Sequence, residues 1–386
     1  MRFYFDHNAT TPPDPRVVEA VARALAEDFG NASSVHHFGQ RAKALLDEAR
    51  SAVAQLIGAE PAELVFTSGG TEADNLALRG AAEAAEAAGT AARRHIITSG
   101  IEHEAVLNTV KALGRRGWTT TLLPVDASGI VSPASLASAI TPQTAIVSVM
   151  HANNEIGTIQ PIADLAAIAH EHGALFHTDA VQSVAKIPVD VRALGVDLLA
   201  LSAHKFNGPK GAGALWIRRG VRLVATMTGG KHERNRRGGT ENVPGIAGMG
   251  EAARLARRKL AEDAPRVGGL RDRLERGILQ RVSGTAVNGS TAERVPNTTN
   301  ISFDGVEAES LLIALDLEGF AVSTGSACSS GTLEPSHVLR AMGLPAHRTQ
   351  NSIRFSLGAG NDAAQVDGLL ATLPATVAKL RTLVRR

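Results

Sequence analysis

Between residues 63 and 219 short apolar runs alternate with Ala- and Leu-rich stretches, and this alternation limits the fold more than any other feature of the chain. The runs are ELVFTS, RHIITS, TTTLLPV, TAIVSVM, ALFHTDA, VDLLALSA and GALWIRR. Several are apolar at consecutive positions, so the strands they form must be covered on both faces. The stretches between them, such as TEADNLALRGAAEAAEAAG and IADLAAIAHEHG, read as helices, the second closed by a glycine at the C-cap. Strands buried on both faces and joined by helices imply an α/β fold around a mostly parallel, seven-stranded sheet. Ligands of such sheets gather beyond the carboxyl ends of the strands.

A chain of 386 residues exceeds what one hydrophobic core organises. The pattern changes after a long charged amphipathic helix that begins near residue 252. The expectation is a large domain over residues 15–257 and a smaller α+β domain built from 1–14 and 258–386. The smaller unit would hold NTTNISF, ESLLIALDLEG, PSHVLRAMG, SIRFSLG and a short last helix. Forty Lys and Arg against 38 Asp and Glu leave a net charge of +2, too balanced to suggest a nucleic-acid or membrane surface. The basic run KHERNRR (231–237) reads as a solvated loop. A single cysteine excludes an internal disulfide framework or a CxxC zinc site, implies no metal, and fits the reducing cytoplasm. No stretch approaches the ~20 apolar residues of a membrane span, and the N-terminus lacks a secretory pattern.

The polar residues at the strand ends are the candidate site. TSGGTEADN places Gly70 and Thr71 at a helix start, where free backbone N–H groups face an anion, although tight strand-to-helix turns use glycine anyway. The spacing fits neither GxGxxG nor the Walker lysine motif. His103 follows the second strand, where a surface histidine is the plainer reading, and Asn153 and Asn154 follow the fourth, where asparagine also serves turns. Asp179 ends the fifth strand with Gln182 three residues on, and a carboxylate there needs a cationic partner or several donors. Ser202, His204 and Lys205 arrive as VDLLALSA ends. A lysine between apolar walls and other cations loses its proton more easily and becomes an amine able to form a Schiff base; otherwise it snorkels to the surface. An anion-binding turn, a strand-end carboxylate and a strand-end amine on one sheet together suit pyridoxal phosphate: phosphate to the turn, ring nitrogen to Asp179, aldehyde to Lys205. STGSACSSG (323–331) sets the sole cysteine, Cys328, in a Ser/Gly loop, an unusual place for a residue that is ordinarily buried.

The motifs FDHNATTP, GNASSVH, TSGGTEADN, IEHEAV, NNEIGTIQPI, HTDAVQS, SAHKFNGPKGAG, RRGGTENV, PNTTNISF, STGSACSSGTLEPSHVLRAMG and SIRFSLG run in order along the whole chain. In these the sequence resembles cysteine desulfurases of the class V aminotransferase family, nitrogen-fixation and iron–sulfur-cluster type. The resemblance implies a fold-type I pyridoxal-phosphate transferase. It implies that Lys205 holds the cofactor, that Asp179 keeps the pyridine nitrogen protonated and that Gln182 bonds the ring hydroxyl. His103 would stack on the ring and trade protons with substrate, and Asn154 would contact cofactor and substrate. Gly70, Thr71, Ser202 and His204 would hold the phosphate, joined by Thr240 of the partner subunit in an obligate homodimer. Arg354 would grip the substrate carboxylate; on its strand Ile353, Phe355 and Leu357 share one face and Ser352, Arg354 and Ser356 the other, so it points away from the core. Cys328 would take sulfur from L-cysteine as a persulfide, releasing alanine, and pass it to an acceptor such as an iron–sulfur cluster scaffold.

His7 stands where the family often has asparagine and His232 where it often has glutamine, and neither position carries the chemistry. The short end after the last helix leans toward the nitrogen-fixation type or another specialised branch. Three alternatives stay open at this level: a selenocysteine lyase or aminotransferase on the same fold, a sulfur carrier or scaffold that keeps Cys328 but has lost the cofactor, and an adenylate- or phosphosugar-binding α/β protein.

Overall fold

The computed structural model describes residues 2–87, 93–325 and 335–384. The chain opens with β1 (Phe3–Tyr4), then α1 (Pro15–Glu27) and α2 (His37–Leu56). Asp14 starts α1 by accepting the Arg16 N–H, with Pro15 at the first turn, where its missing donor costs nothing. Next come β2 (Leu64–Thr67), α3 (Gly70–Ala87), β3 (His95–Ser99), α4 (Glu104–Arg115), β4 (Thr119–Leu123), α5 (Pro133–Ala139) and β5 (Thr144–Ser148). They are followed by α6 (Ile162–Glu171), β6 (Leu175–Asp179), α7 (Val191–Leu194), β7 (Leu198–Ser202), β8 (Gly213–Ile217) and α8 (Val243–Arg281).

Strands β2 to β8 form one sheet in the order β2-β8-β7-β6-β5-β3-β4. It is parallel throughout except at β8, which runs antiparallel to both β2 and β7. Covering of both faces is visible residue by residue. Ile97, Val147, Leu199, Leu201 and Trp216 enter the core on one side, and Ile96, Ile146, Leu198, Leu215 and Ile217 enter the core on the other. All ten are at most 1 % exposed. The period-two alternation of the pleat thus feeds two apolar layers at these positions.

The rest of the chain adds β9 (Thr285–Asn288), β10 (Thr298–Phe303), α9 (Ala308–Leu317), β11 (Phe320–Ala321), α10 (His337–Ala341), α11 (Ala346–Gln350), β12 (Ser352–Ser356) and α12 (Ala363–Val384). Strands β9, β10 and β12 form an antiparallel sheet, and β1 pairs with β11. Ile301, Phe303, Ile353 and Phe355 pack there against Leu274 and Ile278 of α8 and Leu369 and Leu373 of α12.

Three expectations are corrected. Helix α8 starts at Val243, not near residue 252, because Asn242 caps it by accepting the Gly245 N–H; the glycines of VPGIAGMG hide that start from a propensity reading. Gly250 lies against Ala49 of α2, where an added Cβ would come 2.6 Å from the Ala49 Cα. The last helix, α12, is long, 22 residues. The run KHERNRR is not wholly solvated: Glu233 is buried and accepts both guanidinium nitrogens of Arg50 (2.9 and 2.6 Å) and the Phe66 N–H (3.0 Å).

Candidate active site

The carboxyl ends of β5, β6 and β7 open into a cavity of about 490 Å³. Gly70 and Thr71 reach it from the first turn of α3, where the first N–H groups of a helix lack internal acceptors. The turn needs close approach: a Cβ on Gly213 of β8 would lie 2.6 Å from the Gly69 Cα, and one on Gly70 would lie 2.8 Å from the Val181 side chain. His103 lines the cavity as the N-cap of α4, its Nδ1 accepting the Ala105 N–H at 3.1 Å. A capping nitrogen carries no proton, which explains how a histidine suits the positive end of a helix.

Asn154, Asp179, Gln182, Ser202, His204, Lys205 and Arg354 line the same cavity. Lys205 Nζ donates to the carbonyls of Asn8 (2.7 Å) and Ala9 (2.9 Å), which hold the amine in place. Burial, then the charge of Arg354, pulls its pKa down to about 8 against the opposing pull of Asp179 and Asp6. Asp179 is buried, and burial pushes its pKa up, offset in part by His103, the Val181 N–H and Lys205. Its Oδ1 accepts the Val181 N–H at 2.9 Å. Neither Lys205 nor His103 hydrogen-bonds to it, so a cationic group entering the cavity would supply the partner that burial calls for. Together with the α3 turn and the partly deprotonated amine, this donor set fits pyridoxal phosphate.

Arg354 differs from its expected setting. It does point away from the Ile353 and Phe355 core, yet it is only 4 % exposed, because the N-terminal segment covers that face of β12. It donates to Asp6 Oδ1 at 2.6 Å and to the Asn154 carbonyl at 2.9 Å. Gln182 is also engaged: its amide donates to the Asn8 carbonyl at 2.9 Å and its oxygen accepts from Lys186, a buried amine whose pKa burial drives far down. His204 Nδ1 pairs with Thr10 Oγ1 at 3.1 Å, and burial followed by the charge of Lys205 lowers its pKa to about 4. Thr240 is exposed and does not line this cavity. Three residues before it, Arg237 bonds Glu72 in the first turn of α3 at 2.8 Å. Cys328 lies outside the described residues.

Asp6, Asn8, Lys186 and Glu155 carry no strand-end signal, yet they organise the site. Asn8 presents its carbonyl to Lys205 and Gln182, while its side chain bonds Lys186 and Thr298. Glu155 accepts the Ser336 hydroxyl at 2.5 Å, and its side chain lies against Gly325, where an added Cβ would meet Glu155 Cγ at 3.2 Å. Gly325 and Ser336 thus both rest on the residue next to Asn154. A second cavity of about 400 Å³ shares Lys205 but is walled mainly by apolar side chains such as Pro12, Leu255, Leu260 and Leu357. Neither Asp179 nor Arg354 lines it, and the helix start that borders it, α1, opens with Pro15, which has no N–H, so the strand-end cavity is the one equipped for chemistry.

Residues 3–369 match the class-V aminotransferase family, whose members use pyridoxal phosphate. The chain is 49 % identical over 380 residues to cysteine desulfurase IscS of Dictyoglomus turgidum, covering 98 % of this chain and 95 % of that protein. It is 50 % identical over 381 residues to IscS of Anaeromyxobacter dehalogenans, covering 98 % and 93 %. Among solved structures, a NifS-like protein superposes with a TM-score of 0.92 at 38 % identity, over 98 % of this chain and all of that one. SspA, solved in complex with cysteine, superposes with a TM-score of 0.82 at 35 % identity, over 92 % and 99 %. A match that spans all three sheets and every residue of the strand-end cavity makes this chain a member of the class-V aminotransferase family.

Proposed function

We propose that the chain is a pyridoxal-phosphate-dependent cysteine desulfurase that moves the sulfur of L-cysteine onto Cys328 and releases L-alanine. The observation that carries this reading is the placing of Lys205, Asp179 and Arg354 around one cavity, in a chain about half identical to named cysteine desulfurases. Lys205 is the residue that would hold the cofactor, with Asp179 at the ring nitrogen, His103 on the ring face, and Gly70, Thr71, Ser202 and His204 around the phosphate. When bound, the cofactor supplies an electron sink for charge developing at the substrate α-carbon.

Lys205, with its pKa near 8, moves the α-proton at neutral pH. Arg354 and Asn154 orient the substrate carboxylate, which sets the sulfur toward the open side of the site. The Cys328 thiolate attacks that sulfur; an S–S bond forms as the C–S bond breaks, the electron pair stays on carbon, and carbon takes up a proton. Cys328 stands three residues beyond Gly325, which lines the cavity, so the covalent chain spans at most about 11 Å from that anchor. The same reading places Thr240 at the partner's phosphate in a homodimer, divides the chain into 15–257 and 1–14 plus 258–386, and sends the sulfur to an acceptor protein such as a cluster scaffold. A lone cysteine supports a reducing, cytoplasmic setting, and no described helix is long and apolar enough to cross a membrane.

Mass spectrometry after incubation with L-cysteine tests the assignment. The expected result is one added sulfur mapped to Cys328, absent in Cys328→Ala; sulfur mapped elsewhere, or persulfide-independent sulfide release by Cys328→Ala at the wild-type rate, would refute it.

A further inference from the structure

Asp74 lines the strand-end cavity, and the proposed chemistry does not use it. It projects from the second turn of α3 with its side chain 2 % exposed. Facing it from β6 is the fully buried His177, two residues before Asp179. His177 Nε2 lies 3.4 Å from Asp74 Oδ1, and both atoms are buried without a hydrogen bond to any group. The other ring nitrogen, Nδ1, is 2.9 Å from Ser148 Oγ on β5, which is in register with His177. The three side chains form a line from α3 through β6 to β5.

Such a line is held either as an ion pair or as a neutral pair, and its neighbours decide between them. The charges that act on Asp74 are carboxyls: Asp179, and Glu102, which is engaged by the Ser99 hydroxyl and the Met150 N–H. The Lys205 amine and the His103 ring act on Asp179, not on Asp74. Two carboxylates side by side in a dry interior do not both ionise. Of the two, Asp179 has the backbone donor and the Lys205 amine acting on it, so Asp179 takes the charge.

We infer that Asp74 is protonated and donates a hydrogen bond to His177 Nε2, while His177 Nδ1–H donates to Ser148, a neutral line that leaves Asp179 as the charged carboxylate for the ring nitrogen. Burial and the neighbouring carboxyls drive the Asp74 pKa up, and burial lowers that of His177 to about 3, in the same sense. Asp74 is then a positioning residue: it braces β6 just behind Asp179 without adding a competing charge. What this assigns to Asp179 rests on the cofactor reading; the protonation of Asp74 does not.

Nitrogen NMR of His177 in the cofactor-free and cofactor-loaded wild type reads the protonation directly. A neutral ring carrying its proton on Nδ1 is expected, together with an infrared band of a protonated carboxyl that Asp74→Asn removes. Because the asparagine amide can still donate to Nε2, Asp74→Asn should hold pyridoxal phosphate about tenfold more tightly than Asp74→Ala, the worth of one buried hydrogen bond. A doubly protonated His177, or Asp74→Asn no tighter than Asp74→Ala, overturns the inference. A wild type that binds no pyridoxal phosphate would instead sink the cofactor reading, and the NMR result would still decide the state of Asp74.

Discussion

Replacing Arg354 by leucine separates its two proposed effects, on the substrate carboxylate and on Lys205. A charge-assisted hydrogen bond contributes about 1.5–3 kcal/mol. The guanidinium already bonds Asp6 and the Asn154 carbonyl, so a substrate must share these nitrogens rather than meet free ones. The net loss should sit at the low end for two bonds, about 3 kcal/mol, or a roughly 150-fold weaker binding of L-cysteine. The charge of Arg354 is also the second cause, after burial, that lowers Lys205. Its removal should move the alkaline-going limb of the pH–rate profile upward. The assay is titration of the loaded enzyme with L-cysteine and with cysteamine, which has no carboxylate, across a pH series. Cysteamine should bind wild type and variant alike. If it loses as much as cysteine, or cysteine loses under about threefold, Arg354 does not grip the carboxylate.

Two further outcomes follow from buried groups. Glu233→Ala strands the Arg50 guanidinium, which it meets with both oxygens, and should cost about 3–5 kcal/mol in urea unfolding; Arg50→Met combined with it should recover part of the loss, and additive losses would contradict the pairing. His151 is buried, and burial lowers its pKa to about 4. The unfolded chain therefore takes up a proton below the ordinary value of about 6.5 that the folded chain refuses, so stability falls as pH drops through that window. Relative to His151→Met, the wild type should lose up to about 2 kcal/mol between pH 7 and 5 by urea titration; equal slopes would exclude a buried neutral ring. The comparison with the variant is needed because Glu102, raised by burial to about 8, acts in the opposite direction.

Much of the site was legible because strand-end chemistry is local. Asp179, Ser202, His204 and Lys205 each follow an apolar run within a few residues, and a strand covered on both faces leaves polar side chains no other place to emerge. His103 was visible but not its role as a cap, since Nδ1 accepting from Ala105 depends on backbone angles that residue type alone does not report. The start of α8 was hidden by glycines that close contacts require, Gly248 against Val21 of α1 and Gly250 against Ala49 of α2.

The amino-acid order by itself determined the parallel sheet, the cavity at its carboxyl edge and the residue types brought there, because periodicity and strand ends are properties of neighbours in the chain. Tertiary structure alone decided what each group faces. Asp6 meets Arg354 across 348 positions, Asn8 meets Lys205 across 197 and Arg50 meets Glu233 across 183. Burial pulls the Lys205 pKa down to about 8 and pushes that of Asp179 up, and burial is created only when distant segments pack.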